Sequence, residues 1–226
     1  MYIARHMTSP ALTVSPGTLL PEVREMMNTR KFRHLPVVDE EQRLIGMITD
    51  RDLRSAYPSS LLPEDKRLSI LENVARTEVR SIMSQTVIAI TPLSTLDDAL
   101  YFLSKEKIGM LPVVDDEQHV IGVFSVQDLM QAYKKLYGIG ERGSALIAVE
   151  DDGKPKPLTR IVRVLEEREI RFSRLTRVHG EEGEKKIIYL RVHTFNIGAV
   201  HKALKEIGMT VRVPDLQDIL PKSHAR

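Results

Sequence analysis

Leu35-Pro-Val-Val-Asp-Glu-Glu-Gln-Arg-Leu-Ile-Gly46 returns 76 residues later as Leu111-Pro-Val-Val-Asp-Asp-Glu-Gln-His-Val-Ile-Gly122, with nine of the twelve positions identical. In each copy the β-branched run reads as a short buried strand, the acidic cluster as a turn, and the apolar run after it as a second strand. The same offset relates Met7 to Met83, Pro16 to Pro92, Thr49 to Ser125 and Asp52 to Asp128. A repeat of this length implies two copies of one supersecondary unit, neither large enough to stand alone. Two such units stacked together leave clefts between them.

Working outward, a short strand is expected at residues 12–15 and again at 87–91. A helix follows, over 18–28 and 94–106. Leu96, Leu100 and Leu103 recur at helical spacing, and Ser94 with Asp97 reads as a capping box. The second strand of each hairpin, 44–48 or 120–124, runs into a last helix over 49–56 or 125–136. The predicted order is β-α-β-β-α with the two longer strands antiparallel. Residues 57–63 form a turn-rich linker, and 64–76 a charged helix leading to the second copy.

The chemistry lies at the end of each hairpin. Gly46-Met-Ile-Thr49-Asp-Arg-Asp52 and Gly122-Val-Phe-Ser125-Val-Gln-Asp128 share one pattern: glycine, two apolar residues, a hydroxyl, two variable positions, aspartate. The hydroxyl stands where a strand ends and a helix begins, and a helix N-terminus offers free N–H groups to a phosphate. The aspartate has two acceptor oxygens, which suits the paired hydroxyls of a ribose. Thr-x-x-Asp and Ser-x-x-Asp are also ordinary capping boxes that need no ligand, and one residue can do both. The copies differ in charge. Arg33-His34 precedes the first hairpin and Arg51 sits inside its motif, where the second copy has Gly109-Met110 and Gln127. Arginine forks onto phosphate oxygens, so the two sites are expected to be unequal, the first favouring phosphorylated ligands. Arg33 and Arg51 are otherwise surface residues.

The paired Leu-Pro-Val-Val-Asp…Ile-Gly hairpins and paired Gly-apolar-apolar-Ser/Thr-x-x-Asp motifs make residues 7–136 resemble a tandem pair of CBS domains, the Bateman module. The resemblance implies two clefts that bind adenosine-containing ligands such as AMP, ADP, ATP or S-adenosylmethionine. It also implies that such ligands are sensed and not transformed. By that resemblance Asp52 and Asp128 hold ribose, with Thr49 and Ser125 near phosphate.

After Tyr137-Gly-Ile-Gly-Glu-Arg-Gly143, a glycine-rich break, the pattern changes. Strands are expected at 144–149, 170–178, 186–193 and 210–213, a polar turn at 179–184, and helices over 158–168 and from Asn196 to 207, the last stopped by Gly208. This is the β-α-β-β-α-β, ferredoxin-like order, and it resembles an ACT domain. In that family the loop after the first strand often reads Asp-x-Pro-Gly-x-Leu and binds amino acids. Here the candidate loop is Asp151, Asp152, then Pro155-Lys156-Pro157-Leu158, with lysine where the glycine would fall. A side chain there fills space that glycine leaves to a ligand, so dimerisation or relay is the competing reading. The order CBS–CBS–ACT resembles the AcuB-type acetoin-utilisation proteins.

The expected class is therefore α+β, with a first repeat and linker helix over 1–80, a second repeat over 81–140 and an ACT-like domain over 141–226. The chain of 226 residues carries a net charge of +2, too small to imply nucleic acid. Residues 141–226 hold 17 basic and 13 acidic side chains, the rest 16 and 18. No apolar run approaches the roughly 20 residues that span a bilayer, residues 1–14 have no signal-peptide core, and there is no cysteine. These features fit a cytoplasmic protein. The seven histidines are scattered with no compact metal-ligand pair, Glu150-Asp151-Asp152 reads as an acidic loop, and no nucleophile elbow or P-loop is present. The expectation is a non-catalytic homodimer without cofactor, responding to a regulatory adenine nucleotide and acting on a partner enzyme. The rival readings are an amino-acid sensor and a ligand-free scaffold.

Overall fold

In the computed structural model, which describes residues 1–179 and 185–212, the repeated stretch is an antiparallel hairpin in both copies. β1 (His34–Val38) pairs with β2 (Leu44–Thr49), and β3 (Met110–Val114) with β4 (Val120–Ser125). Both ladders slip register at the same place, after Val37 and after Val113. The repeated aspartate sets the turn. Asp39 Oδ1 accepts the Arg43 N–H at 2.7 Å, and Asp115 Oδ1 accepts those of Glu117 and His119 at 3.0 and 2.9 Å. A short carboxylate that bonds its own turn is why aspartate suits this position.

Helices α1 (Leu20–Arg30) and α2 (Asp50–Ala56) flank the first hairpin; α4 (Leu96–Lys105) and α5 (Val126–Tyr137) flank the second; α3 (Glu64–Val74) lies between. Leu20, Val23, Met27 and Leu53 face one core, and Leu96, Ala99, Leu103 and Leu129 the other. Their three- and four-residue spacing is the stripe an amphipathic helix buries, worth about 1.5–3 kcal/mol for each large side chain.

Three local expectations are corrected. The cap of α4 is Thr95 with Asp98, not Ser94 with Asp97: Asp98 Oδ2 accepts the Thr95 N–H at 2.8 Å and Thr95 Oγ1 that of Asp98 at 3.2 Å. Both spacings fit the motif, and Ser94 instead closes the preceding turn by accepting the Thr91 N–H at 3.1 Å. α1 begins at Leu20, because the Thr18 carbonyl is taken by the Val79 N–H and the Leu20 N–H by the Thr77 carbonyl. The strands expected at 12–15 and 87–91 shrink to single parallel bridges, Val14 to Val37 and Ile90 to Val113. Pro36 and Pro112 opposite, and Pro16 and Pro92 soon after, have no N–H to extend the pairing.

The two repeats exchange their leading segments. The turn Ile3–Arg5 buries Ile3 in the second core, while Val79–Ser81 buries Val79 in the first. Thr8 pairs with Val123 on β4, and Ser84 with Met47 on β2, each through two backbone hydrogen bonds of 2.9–3.0 Å. The hairpin tips also pair, at Arg43 and His119. These contacts knit Met1–Tyr133 into one compact unit.

A second unit runs from Lys134 onward. There β5 (Ser144–Glu150), β6 (Phe172–Val178), β7 (Ile187–His193) and β8 (Thr210–Arg212) form an antiparallel sheet in the order β6-β7-β5-β8. With α6 (Pro157–Glu167) and α7 (Ile197–Glu206) the chain order is β-α-β-β-α-β, the split βαβ arrangement. Its core includes Val149, Ile161, Leu165, Leu190 and Leu204, all buried. Asn196 caps α7 by accepting the Ala199 N–H at 3.1 Å, and Gly208 follows the helix at φ 79°. The turn expected at 179–184 lies, beyond His179, outside the described residues, as does Val213.

Candidate functional site

Both hydroxyl–aspartate motifs fold as capping boxes. Asp52 Oδ2 accepts the Thr49 N–H at 2.8 Å and the Thr49 hydroxyl at 2.7 Å, and Thr49 Oγ1 accepts the Asp52 N–H at 3.3 Å. At the start of α5, Asp128 Oδ2 accepts the Ser125 N–H at 2.8 Å and the Ser125 hydroxyl at 2.6 Å, and Ser125 Oγ accepts the Asp128 N–H at 3.2 Å. The geometry repeats to within 0.1 Å. In each box one oxygen, Oδ2, does all the capping. The Oδ1 of Asp52 and of Asp128 makes no hydrogen bond within the described residues, and both side chains are only half-buried. Each aspartate thus has an acceptor to spare.

The glycine that leads each motif has a steric reason. A Cβ at Gly46 would lie 2.7 Å from Met83 Sδ, and one at Gly122 would lie 2.9 Å from Met7 Sδ. The exchanged arms need that space, so the glycines, Met7 and Met83 belong to one device. Arg33 and Arg51 are both exposed; the Arg33 carbonyl accepts the Asp50 N–H at 2.9 Å. His34 sits opposite Thr49 in the ladder, and its ring lies against Gly109, where a Cβ would meet Cε1 at 2.7 Å. Gly109 is the counterpart of Arg33, and its missing side chain admits the imidazole from the other repeat. Burial, then the nearby Arg33, hold the His34 imidazole below its usual pKa, against the opposite pull of Asp52 and Asp50. The structure thus gathers Thr49, Asp50 and Asp52 around His34, whose ring lies against Gly109. The sequence motif did not single out Asp50 or Gly109 as neighbours of His34.

The C-terminal loop is built differently. The Asp151 side chain is 2% exposed; its Oδ1 accepts the Gly153 N–H at 3.0 Å and its Oδ2 contacts Arg177 at 2.5 Å. That contact is ionic, since Oδ2 takes no aligned hydrogen bond. Asp152 pairs with Arg160 at 2.5 Å, whose hydrogen bond holds the carboxyl below the usual carboxylate range. Glu150 pairs with Lys185 at 2.8 Å. Each acid of the expected loop therefore has its own cation, and among the described residues no three acids or histidines converge on a metal-sized site. Leu158 packs against the core. Lys156 adopts φ 52°, ψ 50°, the left-handed conformation that glycine favours.

Two small α+β units, pseudo-symmetric at an offset of 76 and interlocked by exchanged arms, define a tandem-repeat module with one capped acidic motif in each half. The chain belongs to the CBS domain family, whose profile matches residues 3–59 and 79–135. It is 34% identical over 130 residues to a CBS domain-containing protein of Dictyostelium discoideum, covering 58% of this chain and 89% of that one. Among solved structures it is similar to AcuB of Vibrio cholerae, a protein named for acetoin utilization. There the identity is 25%, with 61% of this chain and 93% of that one covered and a TM-score of 0.52. It also shares the fold of CBSX2 of Arabidopsis thaliana, solved in complex with AMP, at 22% identity, 60% and 98% coverage and a TM-score of 0.51. The chain spans only about a fifth of the inosine-5'-monophosphate dehydrogenases that it matches, 22% of the one from Aquifex aeolicus. No helix among the described residues is long and apolar enough to cross a membrane.

Proposed function

We propose that the repeat pair is a non-catalytic sensor of adenosine-containing ligands, and that the C-terminal unit, which resembles an ACT domain, relays its state to a partner enzyme. One observation carries the reading. Asp52 and Asp128 each cap their helix with Oδ2 alone, leaving Oδ1 free to accept a ribose hydroxyl. Capping and ligand binding are then simultaneous, and the cap holds the carboxylate in one rotamer before the ligand arrives. Thr49 and Ser125 stand beside the phosphate. Arg51 and His34 in the first repeat, with Arg33 nearby, give that site the stronger preference for a phosphorylated ligand. The AMP complex of CBSX2 supports the reading at the level of fold, because this architecture admits such a ligand. The C-terminal loop presents no free carboxylate, since Asp151 and Asp152 are engaged by Arg177 and Arg160. That favours relay over amino-acid capture.

Titration calorimetry with adenosine, AMP, ADP, ATP and S-adenosylmethionine tests this. Wild type is expected to bind at least one of them and Asp52→Ala/Asp128→Ala none. Absence of binding to wild type at millimolar ligand would leave the module a scaffold.

A further inference from the structure

The sheet of the second unit has two unlike faces. Helices α6 and α7 pack on the face that carries Ile147, Val149, Leu190 and Val192. Alternation along the strands turns Leu146 and Ala148 of β5, and Tyr189 and Arg191 of β7, to the other side. There one row crosses all four strands: Thr176, Tyr189, Ala148, Arg212. Among the described residues no helix covers this face. Leu146 and Tyr189, on its two central strands, are 56% and 38% exposed. The charges on it are unevenly matched. Glu150 is engaged by Lys185, and Arg174 by Glu141. Arg191 donates one hydrogen bond, to Ser144 Oγ at 3.2 Å, and its Nε is enclosed with no partner among the described residues. Within those residues neither Arg191 nor Arg212 pairs with a carboxylate. The face therefore offers an apolar centre and two uncompensated cations, the signature of a surface that receives something.

β8 ends at Arg212, and the sequence continues Val213-Pro-Asp-Leu-Gln-Asp-Ile-Leu-Pro221. In it Leu216, Ile219 and Leu220 recur at three- and four-residue spacing, with Asp215 and Asp218 beside them. We propose that this segment docks on the open face of the sheet, its apolar residues against Leu146, Ala148 and Tyr189 and its two aspartates answering Arg191 and Arg212. The chemistry matches in kind and in number: apolar on apolar, two acids for two free cations. The reach also suffices. β7 lies two strand spacings from β8, about 10 Å, which three extended residues span. Because the segment is tethered at Arg212, it meets the face at high effective concentration, an advantage that a separate protein of the same chemistry lacks. The proposal is independent of what the repeats bind.

The chain has no tryptophan, so Tyr189→Trp places a single reporter at the centre of the face. In that full-length variant the emission is expected at short wavelength and weakly quenched by acrylamide at every protein concentration. Adding Leu216→Asp/Ile219→Asp, or removing residues 213–226, is expected to shift the emission to longer wavelength and strengthen quenching, with circular dichroism unchanged. Asp215→Arg/Asp218→Arg is expected to lower the docked-to-open ratio roughly tenfold, and Arg191→Glu/Arg212→Glu added to it is expected to restore shielding. Three results would each overturn the proposal: a reporter already exposed in the full-length chain, shielding that survives Leu216→Asp/Ile219→Asp, or shielding indifferent to the charge reversal. Surviving shielding that fades on dilution would give the face to a second copy, and shielding that persists on dilution to another part of this chain.

Discussion

Replacing the two motif hydroxyls and replacing the two motif acids should weaken the fold alike and affect ligand differently. Thr49→Ala/Ser125→Ala removes from each box the acceptor of the aspartate N–H and the hydroxyl that donates to Oδ2. Losing a side-chain cap costs about 1 kcal/mol per helix. Asp52→Asn/Asp128→Asn keeps an oxygen for the Thr49 and Ser125 N–H groups but makes those bonds neutral, also about 1 kcal/mol per box. Adenosine separates the pairs, because it has ribose hydroxyls and no phosphate. With the asparagine oxygen kept on the cap, the group that faces the ribose is an NH2, a donor in place of an acceptor, and losing the acceptor at two hydroxyls costs about 2 kcal/mol, roughly thirtyfold in affinity. At 100 times the wild-type dissociation constant, adenosine adds about 2.7 kcal/mol per site. The same concentration would add only about 0.9 kcal/mol per site to the asparagine variant. The hydroxyl variant keeps its free Oδ1 and should gain nearly the wild-type amount. Thermal unfolding with and without adenosine reads both quantities. If wild type responds and the asparagine variant responds as strongly, the aspartates are caps and nothing more.

Arg51→Ala should bring AMP affinity toward that of adenosine, a loss of about tenfold for AMP alone; equal losses for both ligands would remove Arg51 from the phosphate. His34 has a folded pKa below its unfolded value of about 6.5. The unfolded chain therefore binds the proton first as pH falls, and stability should decline from about pH 6.5 down through the lowered pKa. Denaturant midpoints between about pH 7.5 and 5 should show that slope diminished in His34→Gln. Gly109→Val should push the His34 ring from its place and destabilise by about 1–3 kcal/mol, and combining it with His34→Ala should restore part of the loss in a double-mutant cycle. Arg177→Met should destabilise by about 2 kcal/mol, because the Asp151 carboxylate it leaves is buried, while the 36% exposure of Arg177 keeps the loss below that of a fully buried pair. Nucleotide binding, read by calorimetry, should not change.

The hairpins, their offset of 76 and the helices that follow them were legible in the sequence. Their signals are local: β-branched runs, a turn aspartate that bonds its own backbone, apolar residues at helical spacing. Where two local patterns overlapped, as at Ser94 and Thr95, the sequence could not choose. The register that buries Leu96, Ala99 and Leu103 decided it. The motif residues Thr49, Asp52, Ser125 and Asp128 were also visible, but as either caps or ligand contacts. Only the folded side chains show that Oδ2 alone is used. Nothing near Ile3 or Val79 announces that each is buried in the other repeat's core, or that Gly46 and Gly122 make room for Met83 and Met7. Those facts rest on contacts between residues far apart in the chain, which no local period encodes. Asp151 read as part of an acidic loop that could meet a ligand; in the fold its carboxylate is enclosed and paired with Arg177, 26 positions on. What the sequence determined was every element whose stabilising partners lie within a turn or a hairpin of one another; tertiary structure decided which faces, oxygens and arms those elements present to each other, because burial depends on neighbours that folding alone brings together.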